Sequence, residues 1–447
     1  MLMPQGAVKE LKLFNLAWPI LVEQLTSGFV VMVDIYFLSL LGEDAAATAG
    51  LLMPYLWIGF FVLPMLSTGG TAAASQYYGA KQFDKVIPVF MTNVLLLGLA
   101  GIAFSIFTYL NYNNIGVWLN FPAAMQLYAE DYLAIMAFTF GFFGLRCAYG
   151  SILAAKAMTN WNMLASLLTN VVNVFLNATF FFGWFGIEPM GLKGIALGTV
   201  LSYLFACLVV MVIVHVKAQV SFEFNRAIIP RMRAVFKPLM KISIPSAAEP
   251  ANYTLQQIVV AGILATLGVL AVSSYTFVLR FLFISMAVSW SLAAAGQIMM
   301  AHQMGARKLQ QVDATYNRCV SLAILFAFVN MCVFAWFYQP LIGLFSDDPQ
   351  VAFYAKWLLI ICIVMEPFRA INIVAGMGLK AVGDGRFAAT VGVAFIWGIV
   401  PIIYLCSISW QLGIIGAWAC FALDEVVRGL INHWRWKTYR WHNMGIV

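Results

Sequence analysis

Of this chain's 447 residues, 63% are hydrophobic and 10% are charged, and the mean hydropathy is +0.89. A soluble domain carries about 25% charged residues, so a water-soluble fold is excluded. The alternating segments of about ten residues that mark a membrane β-barrel are missing, and the net charge of +7 sits in the connections between apolar blocks, which excludes a nucleic-acid partner.

Many of those blocks reach the ~18 residues or more that cross about 30 Å of hydrocarbon as a helix. In chain order the predicted spans are 13–41, 48–70, 86–110, 126–150, 161–185, 193–216, 240–267, 273–297, 314–338, 352–378, 387–409 and 413–434. The fold class is therefore an all-α polytopic membrane protein with twelve transmembrane helices. The first span is too long for a signal-peptide core and is read as uncleaved.

Alternate connections differ sharply in basic residues. One set carries Lys9 and Lys12, Lys81 and Lys85, Lys156, the run from Lys217 through Arg226, Arg231, Arg233 and Lys237 to Lys241, then Arg307, Lys308, Arg318, Lys380, Arg386, Arg435, Lys437 and Arg440. The other set carries Lys193 and Lys356. Positive connections stay on the cytoplasmic side, so both termini are expected in the cytoplasm of a cell with this chain in its plasma membrane, the inner membrane of a bacterium. Anionic headgroups are the expected neighbours of the basic residues. The seven cysteines are scattered through apolar spans with no zinc or disulfide spacing, and read as packing residues.

The chain also repeats itself. Shifted by 226 residues, Pro19-Ile-Leu-Val-Glu23 falls on Pro245-Ser-Ala-Ala-Glu249, Leu41-Gly42 on Leu267-Gly268, and Gly79-Ala80-Lys81 on Gly305-Ala306-Arg307. With a shift of 224, Lys156-Ala-Met-Thr-Asn160 meets Lys380-Ala-Val-Gly-Asp384. Six crossings return a chain to its starting side, so the halves are parallel repeats. Transporters built this way bind substrate between their halves and rock one against the other. The expected domains are an N-terminal lobe at 1–217, a basic, proline-bearing cytoplasmic linker at 218–239, and a C-terminal lobe at 240–447.

The segment from Val33-Asp34 to Gly42, with a proline fifteen residues before the aspartate, resembles the first-helix signature of the multidrug and toxic compound extrusion (MATE) family. Gly-Ala-Lys81, Gly-Ala-Arg307 and the Ala-Val-Gly-Asp384 turn are similar to that family as well, and the likeness runs over essentially the whole chain. The resemblance implies two six-helix lobes in a V around a central cavity, and cation-coupled export of drugs. Its NorM-like branch is the nearer match.

Charged residues near a bilayer centre cost at least ~2.5–3.5 kcal/mol and mark functional sites by default. Asp34 is mid-helix with no basic residue in its span, and it matches the family's acidic position. Such a carboxylate is suited to loading and releasing a proton. Glu23, eleven residues earlier, lies about three turns back on the same face. In the fifth span Asn170, Asn173 and Asn177 form one polar stripe. The resemblance implies an acid at the last of these in part of the family, where this chain has Asn177.

Glu249 begins a second oxygen-rich stripe with Asn252, Tyr253 and Gln256, which is suitable chemistry for a hard cation such as Na⁺. The resemblance implies that this Glu helps to bind the coupling cation, together with an Asp at the place of Arg369. Glu366, one turn before Arg369, is spaced to neutralise it. Arg146 and Arg280 read as counter-ions, expected against Glu249 or Glu366. All four histidines lie in or beside cytoplasmic connections.

Aromatic and methionine-rich walls accept many apolar shapes. Tyr36, Met53, Trp57 and Phe61 are candidate cavity residues, with Phe37, Tyr55, Phe60 and Met65 beside them. The expected function is a secondary active antiporter working by alternating access. It would export amphipathic, cationic organic compounds in exchange for H⁺ or Na⁺, as a monomer without an organic cofactor. Two alternatives stand beside it. A flippase for lipids or lipid-linked oligosaccharides would call for extra helices or a strongly cationic cavity. A membrane-embedded enzyme would call for a metal, nucleophile or phosphate-cradling motif, and none is found.

Overall fold

The computed structural model describes residues 11–222 and 225–447. Lys9 and the polar stretch before Leu11 lie outside the described residues. The long elements are α1 (Leu13–Ser39), α2 (Glu43–Gly79), α3 (Phe83–Trp118), α4 (Ala123–Met136), α5 (Thr139–Ala155), α6 (Thr159–Phe182), α7 (Gly191–Val216), α8 (Ile228–Ala265), α9 (Val269–Gly305) and α10 (Leu309–Trp336). A short α11 (Tyr338–Ile342) leads to α12 (Pro349–Val382), α13 (Gly385–Tyr404) and α14 (Gly413–Lys437). Among the described residues there is no strand.

Every predicted span has its helix. The fourth is broken, with α4 and α5 meeting at a 41° bend. Among the described residues, eight helices are long and apolar enough to cross a membrane, nine if that bent pair counts as one. The other three, α1, α8 and α14, hold many of the chain's intramembrane charges. Several helices run well past their predicted ends, α2 to Gly79 and α9 to Gly305. The apolar pattern stops at the membrane surface, but the backbone hydrogen bonds continue beyond it. For the same reason α8 starts at Ile228 and absorbs most of the expected linker.

Backbone packing divides the chain within α8. One compact unit runs up to Ser243 apart from Gly79–Lys81, and the second takes Gly79–Lys81 and Ile244–Val447. In the first unit α6 packs against α1 and α7, and α5 against α3 and α7. Its core includes Leu52, Leu97, Leu133, Phe140 and Ile195. The α3–α5 crossing is tight because Gly101 and Gly144 face it. A Cβ at Gly144 would stand 2.5 Å from the Leu97 carbonyl oxygen, so small residues let the two backbones meet.

In the second unit α12 is central, flanked by α9, α10 and α14, over a core including Val278, Leu282, Leu358, Met365 and Trp418. The sequence repeat has a backbone counterpart. Lys81 and Arg307, which the repeat superposes, both turn left-handed at φ 59° and 57°.

Candidate ion-coupling site

Asp34 lies in the second half of α1, against α6. The Asn177 amide donates to its Oδ1 at 2.6 Å and also to Asn173 Oδ1 at 3.3 Å. Asn173 in turn reaches Thr199 Oγ1 on α7 at 3.5 Å. Asn177 is wholly buried, and its own Oδ1 has no protein partner. Gly198 on α7 makes this geometry possible, because a Cβ there would run into the Asn177 side chain. Two members of the predicted asparagine stripe therefore join Asp34. The third, Asn170, makes no bond to them, and its amide nitrogen is buried without a partner. Tyr132 and Tyr203 lie within electrostatic reach of Asp34. No Lys or Arg pairs with it among the described residues.

Glu23 shares α1 with Asp34 but is neutralised. Arg146 of α5 donates to its Oε1 at 2.8 Å, Ser166 Oγ donates to the same oxygen at 3.0 Å, and Arg146 also reaches Ser166 at 2.6 Å. Arg146 is thus a counter-ion, but to Glu23 and not to Glu249 or Glu366 as expected. Arg280 is exposed on α9 and forms no ion pair among the described residues, so its expected role as a buried counter-ion is corrected.

In the second unit Glu249 faces Lys380 Nζ at 3.4 Å, with the Lys380 side chain only 4% exposed. The basic-residue pattern places Lys380 in a cytoplasmic connection; its position in the last turn of α12 brings it back to α8. The rest of the predicted oxygen stripe is dispersed. Asn252 Oδ1 accepts from the Trp397 indole at 2.8 Å, and its amide donates to the Ala248 carbonyl. Gln256 is buried with Oε1 unpartnered, while Tyr253 is 42% exposed and within electrostatic reach of Arg369, Glu425 and Arg428.

Glu366 and Arg369 pair one turn apart on α12, as their spacing predicts. Arg369 also donates to Glu425 at 3.1 Å, and Asn372 to the other Glu425 oxygen at 3.0 Å. Arg428 completes the group through Asp424 and Glu425. Sequence reasoning passed over Asp424, Glu425 and Arg428, although their i, i+3 and i, i+4 spacing within one apolar span was a usable signal. Lys380 and Arg369 already stand beside the acids that a sodium ion would need, so this unit's donor set does not suit one.

Among the candidate cavity residues, Tyr36, Trp57 and Phe61 are exposed and Met53 is half-buried. Trp57 and Phe61 meet edge to face at 5.4 Å. Phe37, Tyr55 and Phe60 point the other way, into the first unit's own aromatic core.

The MatE family profile matches residues 19–179 and again 245–405, two copies at the offset of the sequence repeat. The uncharacterized transporter YisQ of Bacillus subtilis is 26% identical over 445 residues, covering 99% of this chain and 97% of that protein. The probable multidrug resistance protein NorM of Thermotoga maritima is 22% identical over 448 residues, covering 100% and 96%. Among solved structures, the Vibrio cholerae MATE transporter VcmN in its bent form superposes with a TM-score of 0.84 at 18% identity, over 98% of both chains. A MOP superfamily transporter from Pyrococcus furiosus superposes with a TM-score of 0.88 at 17% identity, over 97% of this chain and 96% of that one. At such identities the likeness is one of fold. The family relatives are transporters and not enzymes.

Proposed function

We infer that this chain, which belongs to the MATE family of multidrug transporters, exports amphipathic, cationic organic compounds in exchange for protons, with Asp34 carrying the proton. One observation carries the reading. Asp34 lies against α6 in the middle of a span with no cation paired to it among the described residues, only the neutral Asn177 amide at 2.6 Å. Glu23, Glu249, Glu366, Asp384, Asp424 and Glu425 each face a Lys or Arg. An unpaired carboxylate away from water is costly to keep charged, so a proton is the counter-charge it can take up and give back.

The cycle then follows from differential binding. The protonated chain favours one access state, and release of the proton inward lets substrate bind and shift the equilibrium back. The exposed aromatic rings of Tyr36, Trp57 and Phe61 suit flat organic cations, which bind over ring faces. The names of relatives such as NorM and MepA, which refer to multidrug resistance and export, support this substrate class. The basic connections support cytoplasmic termini in a bacterial inner membrane. Both units belong to one chain, which suits action as a monomer.

Purified protein in vesicles, given a pH gradient or a Na⁺ gradient separately, tests the reading. Accumulation of an organic cation driven by the pH gradient alone, and lost in Asp34→Asn, is the expected result. Transport that follows the Na⁺ gradient, or that survives Asp34→Asn, overturns it.

A further inference from the structure

The α12–α14 seam holds more negative charge than positive. Glu366, Asp424 and Glu425 share one network with Arg369 and Arg428, and none of the five side chains is more than 13% exposed. Glu425 is fully engaged: Arg369 and Arg428 each reach Oε1 at 3.1 Å, and Asn372 reaches Oε2 at 3.0 Å. Glu366 is held by Arg369. Asp424 is different. Arg428 spends both Nε, at 2.9 Å, and Nη2, at 2.5 Å, on the single oxygen Oδ2. Its other oxygen, Oδ1, is buried with no partner at all, on a side chain that is 5% exposed.

Other basic groups do not reach the excess charge. Lys380 pairs with Glu249 and Arg435 with Asp384. The titratable and charged groups facing the network are Glu249 and Tyr253 from α8, Tyr275 from α9, Cys362, Glu366 and Arg369 from α12, and Glu425 and Arg428 from α14 itself. α13 carries one charged residue, Arg386, in its first turn beside Asp384, and Arg280 of α9 is exposed. The seam is therefore one carboxylate in excess, and the orphaned oxygen singles out which one.

We propose that Asp424 is a second proton-binding site, so that the chain carries two exchangeable protons, one on Asp34 and one on Asp424. The proton adds to Oδ1, Arg428 stays on Oδ2, and the network becomes electrically neutral. On release the proton passes to water and the excess charge returns. A buried network that alternates between neutral and negative is a two-state element of the kind that couples ion binding to rearrangement. The proposal rests on the proton-exchange reading for its place in transport, but the site itself is testable apart from it.

The experiment is infrared difference spectroscopy of the purified full chain between acidic and alkaline buffer, in the region of the carboxylic-acid C=O stretch. Wild type should give two pH-sensitive protonated-carboxyl signals. Asp34→Asn should remove one and Asp424→Asn the other, and proton uptake per substrate exported from vesicles should fall by one in Asp424→Asn. An unchanged spectrum in Asp424→Asn overturns the proposal, as does a signal that belongs to Asp424 but ignores pH. Asparagine is isosteric with the neutral acid, so an Asp424→Asn chain that cannot fold also overturns it, by showing that the side chain must be charged. If pH-driven transport survives Asp34→Asn while the Asp424 signal is present, the functional reading fails and the site stands.

Discussion

Asn177 hands its amide to Asp34 at 2.6 Å, and behind that bond stands a chain of neutral groups with no cation in it. This is the opposite of the arrangement at Glu23, eleven residues away on the same helix, where Arg146 supplies a full counter-charge at 2.8 Å. One helix therefore carries one acid with a counter-charge beside it and one without.

Replacing Asp34 by Asn removes the ionisable group and keeps the shape. Transport should fall to the level of empty vesicles, while the protein still purifies as a stable, monodisperse species. Drug accumulation in vesicles and size-exclusion chromatography check the two halves of this expectation. Wild-type transport in the variant would remove Asp34 from the mechanism.

Gly198→Ala acts on the site without touching a charged residue. The new methyl meets the Asn177 side chain, so the amide must swing off Asp34. Reduced transport at normal expression is expected, with a larger loss in Gly198→Val. Equal transport in all three would mean that the Asn177 contact is dispensable.

Glu23 and Arg146 test ion pairing inside a unit. Breaking a fully buried pair by removing one partner costs about 3–5 kcal/mol. Each side chain here keeps 20% of its surface exposed, so Glu23→Gln and Arg146→Met should each cost less than that. The double variant should be more stable than Arg146→Met alone, because no unpaired acid remains. Thermal unfolding of all four proteins in detergent measures the cycle.

Lys156 offers a pH test outside the spans. Its ammonium donates to the Ala218 carbonyl, and burial holds its pKa below the ordinary lysine value. The folded chain thus binds this proton less tightly than the unfolded chain. Its contribution to stability is therefore present above the unfolded pKa and lost as pH falls through the lowered folded one. Lys156→Met removes that dependence. Wild type should gain stability relative to the variant as pH rises into the alkaline range, read from unfolding at a series of pH values. A gap that narrows in the other direction would contradict the assignment.

Much of this protein was legible in its residues. The apolar blocks read in the sequence located the long helices, and the alignment of Pro19 with Pro245 and of Lys81 with Arg307 exposed the repeat. Asp34 stood out because a lone charge in such a block has no cheap explanation. Beyond the one-turn pair Glu366–Arg369, sequence could not say which base neutralises which acid. Glu23 and Arg146 are 123 residues apart, Glu249 and Lys380 131, and Asp34 and Asn177 143. Helical periodicity reports which residues share a face of one helix, but it carries no information about what packs across from that face. Glu23 and Glu249 are repeat-related, yet one is met by an arginine from α5 and the other by a lysine from α12. Only the tertiary structure decided that these acids are paired and Asp34 is not, because the energy of a buried charge depends on its nearest counter-charge in space.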